Sequence, residues 1–517
     1  MSAGLRPRDR RAVLHRGPVG EGTATGRSVA VIGGGIAGLS AATVLAEHGA
    51  HVRVLEREET WGGRARSWEL PGGRSMSRGF HAFFRQYYTL RGLLRRADPS
   101  LSGLRSIGDY PLQLADGPRD TFTGIPRTPP FSVAAFALRS RSFPLRQLAR
   151  VDIPAALGLL QTRFPGTFSA LDGRSAQELL DSLRFPDDAR HLALEVFARS
   201  FFADPREFSA GELVAMFHAY FMGSAEGLIF DVPADSYSPA LWDPLAARIA
   251  RLGGVVTTGA DVEELRFDGS DGEVAVDLGA GAGTGARRGG DAVRVDAVVL
   301  AADPRSARRL VAGAVHPEGA QWEAFRGRVA AQRNAPPFAV LRLWLDRHAS
   351  AAAPAFLGTS GFGPLDNVSF VERFEQTARD WSAQHGGSVV ELHAYAIDPA
   401  GDPAALKAEL VRQLHRLHPE LRGARALHEE WLVHDDCPLI GLAPWAERPT
   451  VPTPDPRLVL AGDWLRTDEP VALMERAALT GVRAANALLD GWGSSGEDTW
   501  TVPMRGVLTS PWTRTAG

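Results

Sequence analysis

Apolar and polar positions follow three rhythms along the chain. Near the start, residues 29–32 (Val-Ala-Val-Ile) form an unbroken apolar run of strand length. A glycine stretch, residues 33–38, leads into residues 39–48, where apolar positions recur at helical spacing. His51-Val52-Arg53-Val54-Leu55 then alternates and reads as a second strand, ending at Glu56. From residue 91 to about 236 the pattern changes to helices and loops, with helices expected over 188–202 and 211–221. A third rhythm follows residue 307. Ala339-Val340-Leu341-Arg342-Leu343-Trp344-Leu345 and Val389-Val390-Glu391-Leu392-His393-Ala394-Tyr395 suggest an antiparallel sheet. A helix over 403–417 follows them. Between these regimes, residues 255–262 and 293–300 read as strands. Residues 458–461 form a last strand that runs into Gly462-Asp463. A final helix is expected from Pro470 to 489, capped by Asp468 or Glu469.

Three of these joints carry chemistry. Gly33, Gly35 and Gly38 form G-x-G-x-x-G between a strand and a helix, the context that makes this pattern specific. The first glycine permits the tight turn, the second lets backbone approach a pyrophosphate, and the third lets helix and strand close up. The helix start offers free N–H groups to phosphate, and Glu56 stands where a carboxylate accepts ribose hydroxyls. Directly after it, Gly62-Gly63-Arg64 makes a second cradle. A later glycine run, residues 279–285, also follows a strand, but no helical period follows it. It reads as a hairpin loop, which leaves one dinucleotide site and no support for a built-in NAD(P)H site. Residues 75–90 are dense in rings, with His81 and Arg85 among them.

Composition narrows the class. The chain has 517 residues, enough for two or three domains, with 44% hydrophobic and 23% charged residues and a net charge of −3. That balance gives no reason to expect nucleic acid as a partner. Cys437 is the single cysteine, so no internal disulfide is available, and the 14 histidines show no metal-ligand spacing. No metal site is expected. No apolar run approaches the ~18 residues of a spanning helix. Arg10-Arg11 lacks the apolar segment of an export signal, so residues 1–27 read as a flexible tail and the protein as cytoplasmic. Residues 126–165 interleave apolar groups with Arg127, Arg139, Arg141, Arg146 and Arg150, and no acidic residue occurs from Thr121 to Val151. Two readings stand there: docking onto an anionic membrane surface, or a helical subdomain whose arginine stems cover an apolar face.

The order of these motifs resembles the FAD-dependent superfamily that holds amine oxidases and carotenoid desaturases. Carotenoid desaturases carry Gly-x-His-x-Phe-x-x-x-Tyr after the Gly-Gly-Arg cradle, met here by Gly79, His81, Phe83 and Tyr87. Residues 78–88 resemble the desaturase/methyltransferase branch that acts on carotenoid end rings. The resemblance implies an α/β fold: a Rossmann-type FAD-binding domain (residues 28–90, 237–306 and 455–491) with a discontinuous α+β substrate domain (91–236 and 307–454). Residues 492–517 would be a polar tail. It implies FAD held by Gly33, Gly35, Gly38, Glu56, Gly63, Arg64, Gly462 and Asp463, by the backbone at Val262 against the adenine, and by Met474. Arg476 stands where the family usually has glycine. The implied reaction is hydride removal from a β-ionone ring of β-carotene, methyl migration from C1 to C2, proton loss and a second oxidation. Phe83, Phe84 and Tyr87 would stabilise the cation, with His81 and Arg85 as the candidate catalytic residues. Other carotene desaturation or isomerisation, amine oxidation and non-catalytic isoprenoid carriage remain open on the same scaffold. The electron acceptor has no signature.

Overall fold

The computed structural model describes residues 7–142, 152, 157–184, 201–267, 272–279, 292–317 and 319–508. At its centre lies a five-stranded parallel sheet in the order Val255–Thr257, His51–Leu55, Ser28–Ile32, Ala297–Leu300, Leu458–Leu460. The apolar runs form these strands because the middle of the sheet is covered on both faces: Val29, Ala30, Val31 and every residue of Ala297–Leu300 are buried. Helix Ile36–Glu47 crosses from the first strand to the second. It packs against the long helix Leu473–Gly491 at very short range. A Cβ on Gly481 would lie 2.2 Å from Ala37 O, so only glycine lets the two backbones meet there.

The expected strand over 255–262 is instead two strands that part at a turn. Val255–Thr257 joins the parallel sheet, whereas Val262–Arg266 opens an antiparallel meander with Val274–Leu278 and Val293–Val295. Gly259, at φ +66°, turns the chain between them. Ala260 N–H then donates to Glu56 O at 2.7 Å, which places Val262 beside the end of the second strand.

The second sheet has seven strands: Ala426–His434, Phe338–Leu345, Val389–Ala394, Asn367–Phe370, Phe356–Ser360, Leu112–Leu114 and Arg119–Asp120. One face of its centre holds Leu341, Leu343, Val390, Leu392 and Ala394 in a hydrophobic core. The other looks toward the first sheet. A helix spans Pro403–Leu417, as the periodicity predicts.

Two sequence expectations are corrected at the chain ends. Val13–His15 pairs antiparallel with Thr499–Thr501, and Gly22 N–H donates to Gly493 O at 2.8 Å. The described parts of the supposed flexible 1–27 and polar 492–517 tails are therefore docked on each other. Asp9 is buried as well, accepting from Ala225 N–H. The final helix begins at Leu473, three residues after Pro470, with no side-chain cap. Glu469 turns away to pair with Arg483 instead. Arg146, Arg150, the glycine run beyond residue 279 and the 188–200 part of an expected helix lie outside the described residues. Among the described residues, no helix is long and apolar enough to cross a membrane.

Candidate active site

One cavity runs between the two sheets, and its ends differ in chemistry. The first end lies at the C-terminal edge of the parallel sheet, where the strand order reverses. This is the expected ligand position in such sheets. Gly33, at φ +107°, turns the chain so tightly that a Cβ there would lie 2.5 Å from Ala301 O. Gly38 is packed still closer: its Cβ would lie 1.8 Å from Gly33 O. Helix Ile36–Glu47 begins at Gly35 without a side-chain cap, so its first N–H groups and dipole face the cavity. Gly62 N–H donates to Gly34 O at 2.9 Å and brings the second glycine turn against the first. A Cβ on Gly63 would stand 3.1 Å from Gly35 Cα.

The charges at this end are placed with equal economy. Glu56 accepts Gly34 N–H at 2.6 Å and Glu58 N–H at 2.9 Å. Burial pushes its carboxyl up, opposed by those two backbone donors. Arg64 binds Asp463 with both nitrogens, at 3.0 and 2.5 Å. Burial disfavours its charge, but Asp463 outweighs burial and keeps the guanidinium protonated. Gly462, at φ +154°, and its neighbour Asp463 are held over the end of the last strand, where Gly462 N–H donates to Thr480 Oγ1 at 2.9 Å. Arg476 does not line the cavity. It donates to Val471 O at 2.9 Å and to Glu212 at 2.5 Å, bracing the turn in which Leu473 adopts φ +53°.

The second end is built of rings. Phe80 stacks on Phe356 at 4.2 Å, Tyr110 lies 4.9 Å from Phe356, Phe84 lies 4.6 Å from Tyr220, and Phe202 meets Tyr395 edge-on at 4.7 Å. His81 lines the cavity between the two ends. Its Nδ1 donates to Gly79 O at 2.7 Å, which leaves the lone pair on Nε2, and Nε2 has no hydrogen-bond partner among the described residues. Burial pulls the imidazole down to about 4 against the opposing Gly79 carbonyl, so it is neutral at physiological pH.

Of the residues singled out from sequence, Gly33, Gly35, Glu56, Gly63, Arg64, His81, Val262, Gly462, Asp463 and Met474 all line this cavity. Gly38 does not; it serves the packing beneath. Two corrections concern the aromatic run. Arg85 does not reach the cavity: its side chain is 40% exposed and binds Asp231 at 2.8 Å, a carboxylate shared with buried Arg91. Phe83 and Phe84 lie in one short strand and therefore point to opposite sides. Phe84 faces the cavity, whereas Phe83 is fully buried against Trp242. Tyr220, in a stretch that reads from sequence as either tunnel wall or core, lines it too, and sequence reasoning missed Tyr110, Phe356, Asn367, His393 and Tyr395, which also line it. For the last two a signal existed: Glu391, His393 and Tyr395 are the polar members of an alternating stretch.

This geometry has counterparts. Residues 36–489 match the family model for flavin containing amine oxidoreductases, and the chain belongs to that family. It is therefore a flavin oxidoreductase, and the glycine cradle, the uncapped helix start and the Arg64–Asp463 pair suit its flavin. Among curated relatives, the chain is 50% identical to a carotenoid φ-ring synthase from Streptomyces griseus, over 96% of this chain and 95% of that one. It is 27% identical to a carotenoid φ-ring synthase from Chlorobaculum tepidum, over 94% and 92%. Among solved structures, putrescine oxidase bound to putrescine superposes with a TM-score of 0.63 at 18% identity, covering 90% of this chain and 99% of that one. Cyclohexylamine oxidase from Brevibacterium oxydans gives 0.61 at 16%, with the same coverage. These structures establish the fold.

Proposed function

We propose that this chain converts the β-ionone end rings of β-carotene, or a related carotenoid, into aromatic φ-rings, with FAD as its flavin. The similarity to the Streptomyces enzyme over nearly the whole of both chains carries the reading. The ring-lined end of the cavity suits it, because a polyene offers apolar area and no group to pair with a charge. Gly35 and the first N–H groups of helix Ile36–Glu47 would hold the pyrophosphate, Glu56 the ribose and the Val262 backbone the adenine. Arg64 and Asp463 would bracket the groups between. FAD, when bound, accepts the hydride that leaves the ring. The chain's own residues must then protect a cation. Phe84, Tyr87, Tyr110 and Tyr220 exclude water, which would trap it, and present ring faces to it. His81, neutral and with Nε2 unpaired, adds a dipole without a competing positive charge. Incubation of flavin-loaded protein with β-carotene in liposomes, followed by chromatography, tests the reading. An aromatic-ring product is expected, and its absence with the flavin in place overturns the proposal.

A carotenoid dissolves in lipid, so the cavity needs a route to a membrane. We propose peripheral docking at the cytoplasmic face through helix Phe131–Arg139. On it Phe131 and Leu138 are 68% and 69% exposed, beside Arg139 and near Arg127 and Arg141. Behind it, Phe136 stacks on Phe122 at 4.7 Å, and Phe122 lies 6.4 Å from Tyr110 in the cavity wall. Rings thus connect the exposed helix to the substrate end. Flotation with anionic liposomes should recover the protein, and Phe131→Ser with Leu138→Ser should reduce recovery severalfold. Equal recovery would rule this helix out.

A further inference from the structure

Aromatising a ring requires that protons leave it as well as hydrides, and the cavity contains a group suited to take them. Strand Val389–Ala394 places Val390, Leu392 and Ala394 in the core and turns Glu391 and His393 to the opposite face, with Tyr395 next in the alternation. The three polar groups form a chain. Glu391 Oε1 lies 2.7 Å from His393 Nε2, and His393 Nδ1 lies 2.9 Å from Tyr395 Oη. Asn367 Nδ2 donates to the same Oη at 2.9 Å. His393, Tyr395 and Asn367 line the cavity.

The direction of each hydrogen bond follows from the charge at the buried end. Arg342 donates to Glu391 Oε2 through Nε and Nη2, at 2.8 and 2.6 Å. Burial pushes the Glu391 carboxyl up, but the Arg342 charge and the His393 bond outweigh it and hold it at about 2. Glu391 is therefore an anion and only accepts, so His393 Nε2 carries hydrogen and donates to it. Phe80 N–H approaches that nitrogen only to 3.4 Å, too far to compete. With that hydrogen on Nε2, Nδ1 is free to accept the Tyr395 O–H. Tyr395 oxygen keeps a lone pair beyond its Asn367 bond. Gly79 makes room for the arrangement: at φ +104°, it passes so close that a Cβ would lie 2.5 Å from His393 Cε1.

We propose that Tyr395 is the proton acceptor of the reaction, acting through His393 and Glu391. The inference rests on the carotenoid reading above. After hydride loss and methyl migration, the ring is a cation whose adjacent C–H bond is strongly acidic, so a phenol oxygen is a sufficient base. The C–H proton passes to Tyr395 oxygen while the Tyr395 hydroxyl proton passes to His393 Nδ1. The C–H electron pair becomes the new ring double bond. The imidazolium formed lies against the Glu391 carboxylate, so the step moves a positive charge from the ring to a place built for it. His81 lacks such a partner, since its Nδ1 faces only a carbonyl. His393 and Glu391 are positioning residues, and Tyr395 is the group that meets the substrate.

The test compares Tyr395→Phe, His393→Gln and His81→Asn with the wild type on β-carotene in liposomes. Flavin absorbance reports folding, and quenching of flavin fluorescence reports carotenoid binding. Formation of aromatic product by the wild type establishes the parent reading independently; without it, the parent reading fails whatever the variants do. Given that product, Tyr395→Phe should keep flavin and carotenoid binding but lose turnover by about 100-fold, within the usual range for a general base. The wild-type solvent deuterium isotope effect should vanish with it, which a merely structural tyrosine would not cause. His393→Gln should show the same loss of isotope effect, and His81→Asn should lose less than about tenfold and keep it. Near-normal turnover in Tyr395→Phe, or loss of the isotope effect in His81→Asn alone, overturns the proposal.

Discussion

The two ends of the cavity solve opposite recognition problems. At the end proposed for the flavin the contacts are backbone N–H groups, glycine approaches and charged pairs, among them Arg64 with Asp463 at 3.0 and 2.5 Å and Arg78 with Asp436 at 2.5 Å. Each acts at a fixed point. At the other end, proposed above for the carotenoid, the contacts are ring faces drawn from separated stretches, including Phe80, Tyr110, Tyr220 and Phe356. There area matters more than position, and neighbours share the load. On the proposed reading, a polar cofactor is held by short, intolerant motifs, whereas an apolar substrate is held by a distributed wall. Single changes should therefore be severe at the first end and graded at the second.

Gly38→Val is the harshest test of that contrast. Its Cβ would lie 1.8 Å from Gly33 O, so strand turn and helix must separate. Overpacking against backbone should cost about 3 kcal/mol or more. The purified protein should lose its flavin absorbance and unfold at lower denaturant. A yellow protein with an unchanged midpoint would mean the glycine turn is softer than it looks. Asp463→Asn should act next in size. It leaves the Arg64 guanidinium without its bidentate acceptor, and such truncation costs about 2 kcal/mol, roughly thirtyfold in flavin affinity. Titration of flavin into apoprotein, read by fluorescence, measures it directly.

The same contrast explains what the sequence reveals. Gly33, Gly35, Glu56, Gly63, Arg64 and Asp463 were legible because local geometry makes them adjacent: each lies within a few residues of a strand end. The parallel sheet was equally legible, since strands buried on both faces leave unbroken apolar runs. The carotenoid end was not. Tyr110 and Phe356 meet the rest only through tertiary folding, and the stretch holding Tyr220 reads as tunnel wall or core alike, because an aromatic residue that lines a cavity reads no differently from one in the core. Within the run that was singled out, Phe83 and Phe84 differ only by strand phase, and two residues of strand are too few to fix a phase from sequence. Arg85 shows the converse error. A charged residue among rings looked functional, but Asp231, far along the chain, neutralises it. The chain ends looked loose because Val13–His15 and Thr499–Thr501 gain order from each other and from other partners far along the chain.

Tyr110→Ala probes the distributed wall. It removes one ring that touches Phe230 at 5.5 Å and Phe356 at 4.9 Å, and leaves the others. Carotenoid binding should weaken by about 1 kcal/mol, roughly fivefold, the worth of an aromatic contact. Flavin affinity should not change. If flavin affinity fell with it, the two ends would not be separable and the comparison would fail.

The subtlest expectation concerns the seam where the ends join. Glu475 follows Met474, which lines the cavity, and its two carboxyl oxygens accept Thr89 N–H at 2.8 Å and Leu90 N–H at 3.0 Å. Those donors open helix Tyr88–Ala97, directly after Tyr87 of the carotenoid end. Burial pushes Glu475 up to about 8, against the two backbone bonds, from an ordinary 4.5. The folded protein thus keeps a proton that the unfolded chain releases. Folded stability present below pH 4.5 should decline as pH rises toward 8, because the unfolded state binds fewer protons across that window. Thermal melts at pH 5, 6, 7 and 8 should show that fall. Glu475→Gln keeps the shape but has no proton to lose, and it turns an NH2 toward one of the two N–H donors, so it should lower stability throughout while flattening this slope. An identical slope in the variant would assign the pH dependence elsewhere, with buried Glu375, raised to about 7, the next group to replace.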